Sequence, residues 1–474
     1  MADEDLCYMT ATEALARFKA RTLSPVELLD ALIERSKAVE PTVNAFTAQY
    51  FDDARIEARK AEERYASDRP ARALEGLALA VKDESWIKGK VTTGGSLIHK
   101  DFVATSTTPA IQRLMGAGAV VHARTATPEF SCSGVCWSLL HGVTRNPWNP
   151  DYTPGGSSGG SSAALAAGTA TLASGSDIGG SVRIPASCAG VVGFKPSYGR
   201  IPEDPPFNLD TYCHQGPLAR SVADAALMFN VMNGPHEQDI ASLRPKIKVP
   251  TEPGDGVKGW KIAYSMDLGF YEVDAQVRKN TESALRVFQD LGATVEEVDL
   301  GWTAEVTTTA MNHLAHIFGA YIESFYDRHA YSMTPYARAF AETARNHPAR
   351  AYLASLEGAG KMYATFGPIM QRYKAFVCPT LATPAVPADW DQSRDRVEVN
   401  GKSLDPWFWL MTYPFNTLSR CPVLAVPSGW SDSAVPTGIQ IVGRTYDDIG
   451  VIRAGLAYQS AFPLFDSAAR RPHI

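Results

Sequence analysis

Two loops of small residues hold most of the hydroxyls that could do chemistry in this chain. The first reads Gly155-Gly156-Ser157-Ser158-Gly159-Gly160-Ser161-Ser162; the second reads Ser176-Asp177-Ile178-Gly179-Gly180-Ser181-Val182-Arg183-Ile184-Pro185. A flexible linker has this composition, but linkers do not alternate with core elements, and these loops flank an Ala-rich helical stretch and an apolar strand. The first loop also satisfies Gly-x-Ser-x-Gly at 155–159. A nucleophile elbow needs a strand directly before it, and the prolines at 147, 150 and 154 exclude a central strand there. The second loop is better suited. Two glycines after a buried strand let successive N–H groups converge on one point, an anion nest, with the Ser181 hydroxyl beside them. A nucleophile next to an oxyanion hole is what acyl transfer requires. Such a serine needs a base, and a lysine whose charged form is disfavoured by burial can serve. Lys82 closes the apolar run 77–81; read alone, it is either a snorkelling surface residue or a lysine held in the interior.

Residues 155–186 as a whole resemble the signature of the amidase signature family. The flanks are similar as well: 76–83 looks like that family's lysine strand, and Asn146-Pro147-Trp148-Asn149 with Thr153-Pro154 precede the glycines. Gly193-Phe194-Lys195-Pro196-Ser197, Gly199-Arg200 and 216–226 follow in order, and a looser C-terminal part is anchored by Phe415-Asn416, 422–427 and 438–443. Carried onto this sequence, the resemblance implies a Ser–cis-Ser–Lys triad. Ser181 matches the nucleophile, Ser157 the bridging serine in a cis peptide, and Lys82 the general base. The backbone N–H groups of Ile178, Gly179, Gly180 and Ser181 match the oxyanion hole, and Ser131 matches a loop position whose backbone faces bound substrate. Asp177 and Arg183 are expected to pair and brace the turn, with Ser158 and Thr153 as hydrogen-bond supports.

The implied activity is hydrolysis of carboxylic amide bonds through an acyl-enzyme, extending to aryl esters or carbamates because the same attack cleaves each carbonyl. The alternative is a glutaminase-type subunit of an amidotransferase assembly. Cys213-His214-Gln215-Gly216-Pro217 looks more like stand-alone amidases than the Ser-Leu-Asp pattern of that subunit. Phe318, Tyr321, Phe325, Tyr336 and Phe340 point to an apolar or aryl substrate. Trp407-Phe408-Trp409, Tyr413 and Phe415 read either as core or as cleft lining. Residues 417–421 stand where many members carry a glycine and are expected to border the pocket. No cofactor or metal is expected. Cys132 and Cys136 lack the gap of a zinc knuckle, and His313 and His316 form His-x-x-His without a nearby acid.

The elements that must position these residues follow from the apolar pattern. Helices are expected over 8–66, with Ser24 as an N-cap ahead of Pro25 and Glu27. Strands are expected at 77–81, 119–123, 170–175, 376–378 and 423–426, and helices at 111–115, 161–168 and 222–232. Residues 144–160 read as loop, 234–257 as a surface connection, 261–299 as a strand–helix–strand unit, and 303–374 as a helical insert. The class is therefore α/β: a mixed central sheet covered by helices on both faces. The chain 1–474 is read as a single amidase domain made of an N-terminal helical region (1–70), a signature core (71–235) and a C-terminal half (258–474).

The 474 residues are 45% apolar and 20% charged, ordinary for a globular chain with a sizeable core. Net charge is −6 with the basic residues dispersed, which leaves no footprint for nucleic acid or an anionic membrane. No apolar run reaches the roughly 18 residues a membrane span needs. Seven cysteines and an acidic N-terminus without an apolar leader suit the reducing cytoplasm. The expected partner is a small amide or carbamate substrate, with the chain a monomer or homodimer.

Overall fold

The structure is a computed structural model that describes residues 4–474 apart from 68, 464, 466, 468 and 469. Residues 1–3 and 68 of the expected N-terminal region thus lie outside the described residues. One mixed sheet of 11 strands organises the rest. Its spatial order is Phe46–Gln49, Val120–Thr125, Ala78–Lys82, Leu172–Ser176, Gln215–Ala219, Val192–Lys195, Val423–Trp430, Pro436–Val442, Ala375–Pro379, Lys261–Tyr264 and Thr294–Glu297. Ala78–Lys82 runs parallel to both of its neighbours, and the strands from Leu172–Ser176 to Ala375–Pro379 pair antiparallel in turn. The last two join in parallel. Strands from the signature core and from the C-terminal half meet where Val192–Lys195 pairs with Val423–Trp430.

Helices cover both faces, and the local chemistry sets where they begin. Pro25–Val43 starts with a full capping box between Ser24 and Glu27, and ends at Asn44 in the left-handed region. Glu40 then accepts the N–H groups of Ala45 and Phe46 at 3.3 and 3.0 Å. That capture turns the chain into the edge strand Phe46–Gln49, which breaks the helical run expected over 8–66. Two further departures have physical causes. Gln215–Ala219 is a strand despite Pro217, because Pro217 pairs with Ser174 on one side only, the pairing with Val192–Lys195 covering just Leu218 and Ala219. His313 does have an acid beside it: Asp210, distant in sequence, meets its Nε2 at 2.7 Å, and Tyr212 stacks on the ring at 3.7 Å.

The expected insert is helical, with Glu305–Leu314, Pro335–Arg345 and Ala349–Arg372 as its main helices. Residues 234–257 carry no helix or strand. No described helix is long and apolar enough to cross a membrane.

Candidate active site

Lys82 ends a strand whose five residues are all buried, and its own exposure is 0%. A parallel strand at this depth in the sheet is covered on both faces, which explains its continuous apolar run. The interior reading of Lys82 is the one that holds. Its backbone N–H donates to Ser174 Oγ on the neighbouring strand at 3.0 Å. Two residues further along that strand, on the same side of the pleat, Ser176 Oγ accepts from Lys82 Nζ at 2.9 Å. Ser157 Oγ accepts from the same Nζ at 2.7 Å, and Glu84 Oε2 lies 3.0 Å away. The Gly156–Ser157 peptide is cis.

Close backbone approach accounts for the small residues of the first loop. A Cβ at Gly160 would fall 2.6 Å from the Ala45 carbonyl oxygen, and one at Gly156 would fall 2.6 Å from that of Ser133. Thr153 Oγ1 accepts the Gly155 N–H at 3.1 Å, and Ser158 Oγ donates to the Ser176 carbonyl at 3.4 Å, so both act as the expected supports. The two loops meet directly: Ser158 N–H donates to the Ser181 carbonyl at 3.2 Å.

Ser181 is 7% exposed and faces a cleft. Behind it, Asp177 and Arg183 form a fully buried bidentate pair, both contacts at 2.9 Å. Burial works to raise the Asp177 carboxyl, but the Arg183 charge and its hydrogen bonds, with those of Asn416, hold it well below the usual carboxylate range. Asp177 also accepts the Gly180 N–H at 2.9 Å. One of the four expected oxyanion donors is therefore committed to the turn itself. The N–H groups of Ile178, Gly179 and Ser181 have no acceptor among the described residues. Gly180 sits at φ +125°, and a Cβ there would collide with Thr412 Oγ1, which itself donates to the Gly179 carbonyl at 2.6 Å. Glycine is required at that point.

The cleft holds about 400 Å³ of empty space, open to solvent. Ser131, Ser133, Gly134, Ile178 and Gly179 line it around Ser181, and Ile184, Leu314, Phe318, Phe340, Trp407, Leu410 and Tyr413 form its apolar wall. No charged side chain is among the lining residues. Ser131 reaches the cleft at φ +57°, while its hydroxyl is turned to Glu84 and to Thr127. The aromatic candidates divide. Phe318, Phe340, Trp407 and Tyr413 line the wall; Tyr321 and Phe325 pack on Phe130; Tyr336 holds the Glu129 N–H and the Trp137 carbonyl. Trp409 and Phe415 are core.

Residues 417–421 do not border the cleft. Thr417 Oγ1 accepts from Tyr212 at 2.9 Å and the Ser419 carbonyl from Tyr198 at 3.1 Å, so they pack on the 198–212 segment. Among the described residues no cluster of His, Cys, Asp and Glu could hold a metal ion. Glu84 and Ser176 were not found from sequence. Their one signal is position, two residues after Lys82 and two after Ser174.

The comparisons with known proteins agree with this architecture. The Amidase family matches residues 27–452. An acylamidase from Rhodococcus erythropolis is 32% identical over 490 aligned positions, covering 98% of each chain. A glutamyl-tRNA(Gln) amidotransferase component from Lachnospira eligens is 30% identical, covering 96% of this chain and 99% of that one. The crystal structure of a bacterial aryl acylamidase of the amidase signature enzymes superposes with a TM-score of 0.90 at 29% identity, covering 96% of each chain. The match over most of the chain makes this protein a member of the amidase signature family and a hydrolase of amide bonds.

Proposed function

We propose that the chain cleaves neutral aryl or otherwise apolar carboxylic amides through an acyl-enzyme on Ser181. The observation that carries this reading is the 2.7 Å contact between Lys82 Nζ and Ser157 Oγ, on a loop bonded to the backbone of Ser181 at the cleft floor. Neutral Lys82 takes a proton through Ser157 from Ser181, whose oxygen attacks the carbonyl carbon. The tetrahedral oxyanion forms against the N–H groups of Ile178, Gly179 and Ser181, while Gly180 lends its own N–H to Asp177 and keeps the turn in shape. The proton then returns through Ser157 to the departing nitrogen, and water repeats the sequence on the acyl-enzyme. Aryl esters and carbamates meet the same nucleophile.

The glutaminase-type alternative is weaker for a chemical reason. Free glutamine brings an ammonium and a carboxylate, and burying them without charged partners is costly. The cleft lining offers none. Ser181→Ala should abolish turnover of an acyl anilide and labelling by a fluorophosphonate. Labelling that persists at another serine would sink the assignment, and turnover of glutamine in preference to anilides would restore the alternative.

A further inference from the structure

The loop that brings Ser131 to the cleft is strained. Phe130 and Ser131, neither of them glycine, sit at φ +52° and +57°. Consecutive left-handed residues persist only where their surroundings hold them, and such strain gathers at ligand-facing loops. Part of the hold comes from the helical insert. Glu129 N–H donates to the Tyr336 hydroxyl at 2.7 Å, and that hydroxyl donates onward to the Trp137 carbonyl at 2.6 Å. The Glu129 carboxylate accepts the Thr334 N–H at 2.5 Å and the Ser96 hydroxyl at 2.6 Å. Thr334 is the N-cap of Pro335–Arg345, the helix end whose N–H groups favour a negative neighbour. Ser96, Glu129, Thr334 and Tyr336 are all buried, so a donor released from this network would go unpaired.

The same helix carries Phe340 of the apolar wall. Tyr336 and Phe340 are four residues apart and share one helix face. The tie to Glu129 therefore grips the helix one turn before it contributes to the cleft, and grips the loop two residues before Ser131 does.

We propose that Glu129 and Tyr336 are positioning residues that hold Ser131 and Phe340 at a fixed separation, and so fit the cleft to aryl amides over small ones. This rests on the reading of the cleft as an apolar amide site. A substrate long enough to span from Ser131 to Phe340 depends on their separation; a small amide at Ser181 does not. Directional hydrogen bonds make the tie, rather than charge. Burial pushes the Glu129 carboxyl up, against the hydrogen bonds from Ser96 and Thr334. When protonated, it still accepts from Thr334 while donating to Ser96 Oγ, and a glutamine side chain has the same donor and acceptor.

The test compares an aryl anilide with a small aliphatic amide, with fluorophosphonate labelling of Ser181 to count intact sites. Tyr336→Phe removes one oxygen and keeps the ring that stands edge-on to Trp137 at 4.9 Å. Tyr336→Phe and Glu129→Ala should each lower kcat/KM for the anilide about 10-fold, through KM, and that for the small amide much less. Glu129→Gln should restore the preference for the anilide. In a Phe340→Ala background, Tyr336→Phe should cost little more, because the wall it places is gone. Equal losses on both substrates, full additivity with Phe340→Ala, or a Glu129→Gln variant as impaired as Glu129→Ala would each overturn the proposal. If Glu129→Ala fails to fold, Tyr336→Phe and its combination with Phe340→Ala decide alone. A parent chain without an aryl preference overturns the reading of the cleft and the tie with it; a parent preference that survives Tyr336→Phe overturns the tie alone.

Discussion

Two ion pairs, one fully buried and one with a partly exposed carboxylate, stand beside the serines, and they are built on opposite plans. Between Asp177 and Arg183 every donor is spent: the guanidinium makes five hydrogen bonds, to both Asp177 oxygens, the Thr412 carbonyl, Gln440 and Asn416. Neither residue has solvent access. Between Lys82 and Glu84 there is one contact, and the lysine shares its remaining hydrogens with two hydroxyls. The first pair is a bracket, planar and bidentate, that holds a turn of backbone amides in one shape. In the second, the lysine lies within hydrogen-bond reach of two hydroxyls with which a proton could be exchanged. A forked, always-charged arginine suits the bracket and a titratable lysine suits the relay; each would serve poorly in the other's place.

The comparison breaks most sharply at Lys82. Removing a positioned general base typically costs about 10²–10⁴-fold in rate. Lys82→Ala should lose that much kcat on an anilide while KM changes little, because Lys82 is not among the cleft-lining residues. A variant that loses binding but keeps kcat would show that Lys82 serves the pocket instead.

Arg183→Leu tests the bracket. It leaves a carboxylate buried without its partner, an uncompensated charge that costs about 3–5 kcal/mol in stability, read by urea denaturation. The pH dependence gives the sign. In the parent chain the Asp177 carboxyl lies below its unfolded value of about 4, so its stabilisation is fully present above that pH and fades as pH falls through the folded value. Without Arg183, the Asn416 hydrogen bond and the Lys195 charge are left to oppose burial, and the carboxyl rises. Proton uptake, and the weakening it brings to the Gly180 contact, should then begin at higher pH. Equal acid sensitivity in the two proteins would show that Arg183 does not hold that charge.

The bracket and the relay were unequally legible in the sequence. Asp177, Gly180, Ser181 and Arg183 lie within seven consecutive residues, so the turn and its brace could be read from a short string. Lys82 could not be placed by composition, since burial depends on Val120–Thr125 and Leu172–Ser176 closing over its strand, and those contacts are set by the fold. The resemblance chose it. Glu84 escaped because a carboxylate two residues from a lysine is ordinary on a surface and acquires meaning only when the lysine is buried against it. The strand Phe46–Gln49 escaped because four residues after a long helix carry no period of their own; Asn44 and the Glu40 carboxylate, acting locally, make the turn. The pairing of His313 with Asp210 joins the helical insert to the loop before Gln215–Ala219, and no local pattern reports such a contact.

The smallest effect is expected at the cleft wall, which neither ion pair touches. Trp407 is half-buried, with its ring 6.4 Å from that of Phe340 and 6.2 Å from that of Tyr413. Truncating it removes apolar surface from the wall and leaves the serines, the turn and both pairs in place. Trp407→Ala should therefore raise KM for an aryl anilide roughly 10-fold with kcat nearly unchanged, the signature of contacts made equally in the ground and transition states. A small aliphatic amide, which does not reach the wall, should lose much less. The contrast between the two substrates separates the wall from the relay: a loss that falls equally on both would mean that Trp407 acts on the chemistry, and that the apolar side of the cleft does not select the substrate.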